Sequence, residues 1–230
     1  GGAGAIGRQL VPMLVRAGHE VTGTTRSADR VGWLEDSGAT PVLLDVLDAA
    51  ATREALVAAA PEVVIHQLTD LASGFDAESL RRNARLRDVG TANLIDGMLA
   101  AGARLLVAQS IAWLYADGPL PHTEADPLID PASDPENVSL PGVLVLEHRV
   151  TRTPGIDGLV LRYGSLYGPG TVSAERAPGP TSVHVAAAAR AALLAVTRGE
   201  PGIHNIVDEG GTVSAALARR VLGWDPTERA

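Results

Sequence analysis

Gly1-Gly2-Ala3-Gly4-Ala5-Ile6-Gly7 opens the chain and leads into Arg8-Gln9-Leu10-Val11-Pro12-Met13-Leu14-Val15-Arg16-Ala17-Gly18. Ile6, Leu10, Met13 and Leu14 share one helical face, Gly18 marks the helix stop, and His19 to Thr25 reads as a strand. Glycines ahead of a helix N-terminus let the backbone approach a pyrophosphate, whose charge the free N–H groups and helix dipole stabilise. A glycine triplet alone is a weak signal, since such turns also serve plain structural purposes. Here turn, amphipathic helix, glycine stop and strand come in the order that a dinucleotide-binding fold requires. The strand that such a unit places before its first glycine is not in the sequence, so we expect the chain to begin after it.

Outward from this unit, strand and helix alternate. Thr40–Val46 reads as a strand, Ala49–Ala60 as an alanine-rich helix, and Glu62–Leu68, after Pro61, as a buried strand. A long helix is expected over Ala77–Ala101, followed by a strand over Arg104–Ser110. Tyr115–Pro141 is rich in proline, aspartate and glycine and reads as an irregular excursion beside a cleft. Helices are expected over Val143–Arg152, Val183–Arg198 and Val213–Val221, with strands over Gly158–Arg162 and Gly202–Val207. Gly168–Pro180 is loop-like, with a junction around Val172–Pro180 where residues could be omitted. The pattern predicts an α/β, Rossmann-type doubly wound parallel sheet with a small C-terminal substrate lobe. We read 1–230 as a single domain, with 1–114 mainly the dinucleotide-binding core. The stretches 115–142, 168–182 and 208–230 form the substrate lobe and cleft loops.

Composition narrows the function. The 230 residues carry a net charge of −8, which argues against a nucleic-acid-binding surface. No apolar run reaches membrane-spanning length, so the expectation is a cytoplasmic protein acting on a small molecule, without membrane or nucleic-acid partners. Cysteine is absent, which removes disulfides, thiolate metal sites and cysteine nucleophiles. Lysine is absent too: all 19 basic residues are arginine. Any mechanism needing a lysine ammonium or Schiff base is excluded. Histidines and carboxylates show no metal-ligand spacing.

Several stretches together resemble the extended short-chain dehydrogenase/reductases, also called the NAD-dependent epimerase/dehydratase family. They are Gly1–Gly7, Asp45 in Leu43-Leu44-Asp45-Val46, Gly90-Thr91-Ala92-Asn93-Leu94-Ile95, Gln109-Ser110, Thr123-Glu124-Ala125-Asp126-Pro127, Leu161–Gly170 and Val183-His184-Val185. The resemblance implies that Gly1, Gly4 and Gly7 cradle a pyrophosphate, with Ala5 and Ile6 supplying N–H groups. It implies adenine at Asp45 and Val46, the nicotinamide ribose at Leu68 and Thr69, and a nicotinamide pocket lined by Tyr163, Gly164, Ser165 and Leu166. The alternative for Asp45 is a cap for the following helix. Helices such as 77–101 often pair in this family, so a homodimer is a reasonable expectation.

Cofactor preference is legible after the second strand, where an acidic residue would bind the 2′-hydroxyl of NAD. This chain has Thr24-Thr25-Arg26-Ser27 instead, with Arg30 nearby. A guanidinium and a hydroxyl suit a 2′-phosphate, so Arg26 points to NADP(H) over NAD(H).

The family's redox chemistry uses a Tyr-x-x-x-Lys pair, in which lysine lowers the tyrosine pKa. Counting back from Glu147, which matches a glutamate late in that helix, puts the lysine position at Val143 and the tyrosine position at Ser139. The usual acid/base pair is gone. Ser110 matches the family's serine region, although counting from Leu114-Tyr115 puts Ile111 in the catalytic slot. Three readings follow: an oxidoreductase or epimerase in which Ser110, Tyr115 or Tyr167 replaces the lost tyrosine; a non-redox isomerase, cyclase or dehydratase with a structural nucleotide; and a non-catalytic NADP(H) sensor. His122 and Glu124 are candidate substrate contacts, whereas His148 and His184 read as structural.

Overall fold

The computed structural model describes residues 1–71 and 74–229. In chain order, α1 (Ala5–Arg16) leads to β1 (Thr22–Thr25), α2 (Val31–Asp36), β2 (Thr40–Leu43), α3 (Ala49–Ala59) and β3 (Val63–His66). Next come α4 (Ala77–Arg85), a π-helical turn over Leu86–Gly90, α5 (Thr91–Ala101), β4 (Leu105–Ile111), α6 (Leu140–Arg152) and β5 (Asp157–Tyr163). The chain closes with β6 (Ser165–Tyr167), β7 (Ser182–His184), α7 (Val185–Arg198), β8 (Gly202–Ile206) and α8 (Ala216–Leu222).

All described strand pairs are parallel. β1 pairs with β2, the four strands β3-β4-β5-β8 form a second sheet, and β6 pairs with β7. Parallel strands need crossover connections, and helices therefore cover both faces. The period-2 alternation shows this directly. Val107, Leu159, Leu161 and Tyr163 pack with α1 and the alanine-rich α7, while Leu106, Ala108 and Val160 pack with α5 and α6. This is the doubly wound architecture expected from the sequence.

The glycine loop lies between the β1-β2 pair and the four-stranded sheet. Gly2 N–H donates to the Thr24 carbonyl at the end of β1 (3.0 Å), and Gly1 abuts the Gln67 carbonyl just past β3. The loop thus opens between the carboxyl ends of β1 and β3, the edge at which open α/β sheets bind ligands.

Several boundaries differ from the sequence reading. The expected helix over Ala77–Ala101 is interrupted by the π turn at Leu86–Gly90. Val183 belongs to β7 rather than to a helix, and α7 starts at Val185, where the His184 ring accepts the Ala186 N–H (3.3 Å). α6 begins three residues early, at Leu140. The closing helix starts at Ala216, because Val213 forms a bridge with His122. The first strand begins at Thr22 rather than His19. Ala230, the last residue of the 208–230 stretch, lies outside the described residues.

Candidate active site

Gly4 caps α1 in an extended conformation, without a side chain to occupy the first turn. Its N–H donates to the Gly1 carbonyl (3.1 Å), and Arg8 N–H returns to the Gly4 carbonyl (2.9 Å). The N–H groups of Ala5, Ile6 and Gly7 take no partner among the described residues. They are the orphan donors of a helix start, aligned with the positive end of its dipole. No acidic residue occupies that first turn. A Cβ on Gly7 would collide with the Gly1 and Gly2 carbonyls, and one on Gly1 with the Gln67 carbonyl. Close approach and free donors together fit a dinucleotide pyrophosphate.

The other expected cofactor positions surround this loop. Asp45, two residues past β2, is exposed and accepts the Leu47 N–H (3.0 Å). The cap of α3 is Asp48, which accepts from Ala51 (3.0 Å), so the helix-cap alternative for Asp45 is corrected. The Val46 carbonyl is held by Asn93 (2.8 Å) and Thr52 (3.3 Å). Leu68 is half-buried and Thr69 exposed just beyond β3. Tyr163 ends β5 next to Gly164, and its hydroxyl accepts from Gln67 Nε2 (3.2 Å). Gln67 Oε1 is sealed without a partner among the described residues, a free acceptor beside the expected nicotinamide pocket. Arg26 reaches across the cleft to Asp70 (3.1 Å), which raises its pKa; both side chains keep solvent contact.

The candidate catalytic residues separate into two places. Ser110 and Tyr115 join one buried network with Glu147, Arg162 and Asn205. Ser110 Oγ donates to Glu147 Oε1 (2.7 Å), which also accepts from Arg162 Nε (2.9 Å), while Arg162 Nη2 donates to Oε2 (2.6 Å). Arg162 Nη1 donates to the Tyr115 hydroxyl (2.8 Å), which itself donates to Asn205 Oδ1 (2.7 Å). Burial opposes the Arg162 charge, but hydrogen bonding and charge from Glu147 outweigh it and raise its pKa. Burial pushes the Tyr115 phenol up. His122 stacks on Tyr115 with centroids 5.1 Å apart, and Glu124 Oε1 accepts the Asn205 N–H (2.7 Å). The structure therefore brings Ser110, Tyr115, His122 and Glu124 together.

Tyr167 stands apart on β6, half-buried. Its hydroxyl donates to Asp208 (2.7 Å) and accepts from Arg229 (3.1 Å), and His184 meets its ring edge-on. Burial, then Asp208, raises its pKa.

Where a Tyr-x-x-x-Lys pair would stand, the site is apolar. Val143 is fully buried in a cluster with Ile111, Leu114 and Leu140, and half-buried Ser139 precedes α6. The Glu147–Arg162 pair and Asn205 complete the network, yet sequence reasoning used Glu147 only as a counting mark. Among the described residues, no group of three or more His, Asp or Glu side chains is arranged to hold a metal, and no helix is long and apolar enough to cross a membrane.

Comparison with known proteins adds three findings. Residues 1–201 match the model of the NAD dependent epimerase/dehydratase family. A Streptomyces sp protein named 3-diazoavenalumate denitrifying reductase is 37% identical over 270 aligned positions, covering 100% of this chain and 88% of that protein. The fold resembles UDP-glucose 4-epimerase of Thermotoga maritima, solved with UDP-glucose (TM-score 0.81, 20% identity, 99% and 92% of the two chains). It also resembles the UDP-glucose 4-epimerase of Thermus thermophilus, solved with NAD (TM-score 0.74, 22% identity, 98% and 83%).

Proposed function

The chain belongs to the NAD dependent epimerase/dehydratase family, and from that premise we propose that it is a nicotinamide-dependent reductase acting without an enzyme acid. Its substrate class is a small carboxylate carrying a diazonium group, by likeness to the denitrifying reductase. The observation that carries this reading is the buried, apolar Val143–Ile111–Leu140 cluster where the family's proton-transfer pair would lie. When bound, a reduced nicotinamide supplies one hydride to R–N2⁺, giving R–H as the C–N bond breaks and dinitrogen leaves with its electron pair. That change consumes no proton, so losing tyrosine and lysine removes nothing the reaction requires.

In this reading the Gly1, Gly4 and Gly7 backbone with the Ala5 and Ile6 N–H groups holds the pyrophosphate. Asp45 and Val46 border the adenine, and Leu68 and Thr69 the ribose. Tyr163, Gly164, Ser165 and Leu166 line the nicotinamide pocket. Ser110 and Tyr115 fix the sheet end through Glu147 and Arg162, and His122 and Glu124 bring the 115–142 excursion against it. The stretches 115–142, 168–182 and 208–229 form the substrate lobe. Tyr167 supports a second reading, reduction of a carbonyl: it is a half-buried phenol outside the sealed network, and its partner Asp208 keeps one oxygen without a bond among the described residues.

The test is turnover of NADPH with an aryl diazonium carboxylate, following absorbance and dinitrogen together. One dinitrogen per NADPH is expected. The rate should change by less than about twofold between about pH 7.5 and 9.5, because the raised Tyr115 and Tyr167 phenols stay protonated there and no proton is transferred. Loss of turnover by at least about a hundredfold in Tyr167→Phe would replace this reading with the second, since a general acid contributes about that much. Substrate consumption without NADPH oxidation would sink both.

Arg26 carries the NADP(H) preference in this proposal. Its bond to Asp70 must yield to the 2′-phosphate, an exchange between two anions at a solvent-facing site. Arg26→Ala should weaken NADPH about tenfold, equivalent to one charge-assisted hydrogen bond, and leave NADH nearly unchanged in a titration. Equal losses for both would remove Arg26 from cofactor selection.

A further inference from the structure

The helix running from α4 through the π turn into α5 buries a polar stripe at four-residue intervals: Ser79, Asn83, Arg87 and Thr91. Four-residue steps drift around a 3.6-residue helix, and the wider π turn takes up that drift. Three members fasten the segment that follows β3. Ser79 Oγ donates to Asp76 (2.9 Å), Asn83 Oδ1 accepts the Asp70 N–H (2.9 Å), and Thr91 Oγ1 meets His66 Nε2 (3.1 Å). His66 Nδ1 accepts the Leu68 N–H (3.2 Å), so Nε2 carries the proton towards Thr91. Arg87, between Asn83 and Thr91, is buried in the same stripe, yet it makes no hydrogen bond or ion pair among the described residues.

Its position along α6 is also fixed. Gly142 packs on Ala84 so closely that a Cβ there would lie 2.8 Å from Ala84 Cα, and Arg149 reaches Asp88 (2.7 Å). Between these two contacts Arg87 faces the 143–147 stretch, one turn of which holds Val143 and Glu147. Glu147 already has both oxygens committed to Arg162 and Ser110. Two buried guanidinium groups therefore share one carboxylate, leaving an excess positive charge. Arg87 keeps only 4% of its surface, but its nitrogens are not among the sealed polar atoms. Burial lowers its pKa to about 10, opposed by the charge of Glu147, and it stays a cation at neutral pH.

A buried cation without a partner lowers stability unless something else supplies the counter-charge. We infer that Arg87 is the anion-binding residue of this active site: it holds an anionic oxygen of the substrate beneath the β3 end and stands in for the positive charge absent at Val143. The substrate class rests on the reductase reading above, but the anion site itself does not require it. Arg87 sits on the π turn packed against α6, not at the start of α1 where the glycine loop presents its free donors, so the anion belongs to the substrate rather than to the pyrophosphate.

The test uses benzoate, with neutral benzamide as control, titrated calorimetrically into the nucleotide-free protein and then into protein loaded with NADP⁺. Benzoate should bind saturably and benzamide at least about tenfold more weakly. Arg87→Met should lose benzoate at least about tenfold and Arg87→Lys less, with NADP(H) affinity changed less than about threefold. The melting temperature of ligand-free Arg87→Met should be unchanged or higher, because an uncompensated charge has been replaced by an apolar chain of similar length. A lower melting temperature with unchanged benzoate binding would make Arg87 structural and overturn the assignment. Wild-type protein indifferent to benzoate, or a variant that loses NADP(H) more than benzoate, would overturn it too. Failure of NADP⁺ to bind while the benzoate arm holds would count against the reductase reading alone.

Discussion

Gly7→Ala should weaken nucleotide binding by at least about a hundredfold, roughly 2.7 kcal/mol, while leaving the protein folded. The added Cβ would run into the carbonyls of Gly1 and Gly2, which are backbone atoms with no rotamer to change. Gly2 is tied to Thr24 of β1 and Gly4 to Gly1, so the loop can yield only by giving up its place between β1 and β3. The free N–H groups of Ala5, Ile6 and Gly7 would then no longer converge on one point, and the helix-start site would lose its geometry. Gly4→Ala is the control, since a Cβ there would meet Gly1 O at 3.3 Å, a contact that a small shift relieves. Its loss should stay within about tenfold. Fluorescence titration with NADPH reads both variants, and Gly7→Ala binding within threefold of wild type would show that this loop does not hold the nucleotide.

The glycine loop was legible because everything that makes it is local: three glycines, one helix face and one stop within eighteen residues. Continuous apolar runs such as Val63-Val64-Ile65, Leu105-Leu106-Val107-Ala108 and Leu159-Val160-Leu161 likewise announced β3, β4 and β5, as expected where both faces of a parallel sheet are covered. Local reasoning failed where two candidates satisfied the same rule. Asp45 and Asp48 both precede an alanine-rich run, and only the backbone path decides that Asp48 meets the Ala51 N–H. It also failed at Val183, whose pairing partner in β6 is set by tertiary structure rather than by its neighbours.

The network below the site was illegible for a different reason. Ser110, Glu147, Arg162, Tyr115 and Asn205 are joined across sequence separations of 15 to 90 residues. Nothing near any one of them announces the others. Arg87 was hidden by ambiguity: polar residues every fourth position ordinarily mark a solvated helix face, and only burial shows that this face points inward. The missing Tyr-x-x-x-Lys pair was readable as an absence. What replaced it, an apolar cluster flanked by excess positive charge, required the fold.

Glu147→Ala should be the most damaging single substitution for stability, at roughly 3–5 kcal/mol, because it strips the buried carboxylate from a buried cation pair. In a chain of this size that corresponds to a fall of about 10 °C in melting temperature. Arg162 would lose its bidentate clamp, Ser110 its acceptor, and Arg87 the carboxylate that moderates its charge. The loss has two sources that a second substitution separates. If bond loss around Arg162 dominated, Arg87→Met would have the same effect with and without Glu147. If uncompensated charge contributes, Arg87→Met should gain about 1 kcal/mol or more in the Glu147→Ala background beyond its effect in wild type, a coupling typical of residues in one network. Thermal denaturation of the four proteins in that cycle measures it. Strict additivity would mean that Glu147 and Arg87 do not feel each other, and that the cation beside α6 needs neither this carboxylate nor a ligand to remain buried.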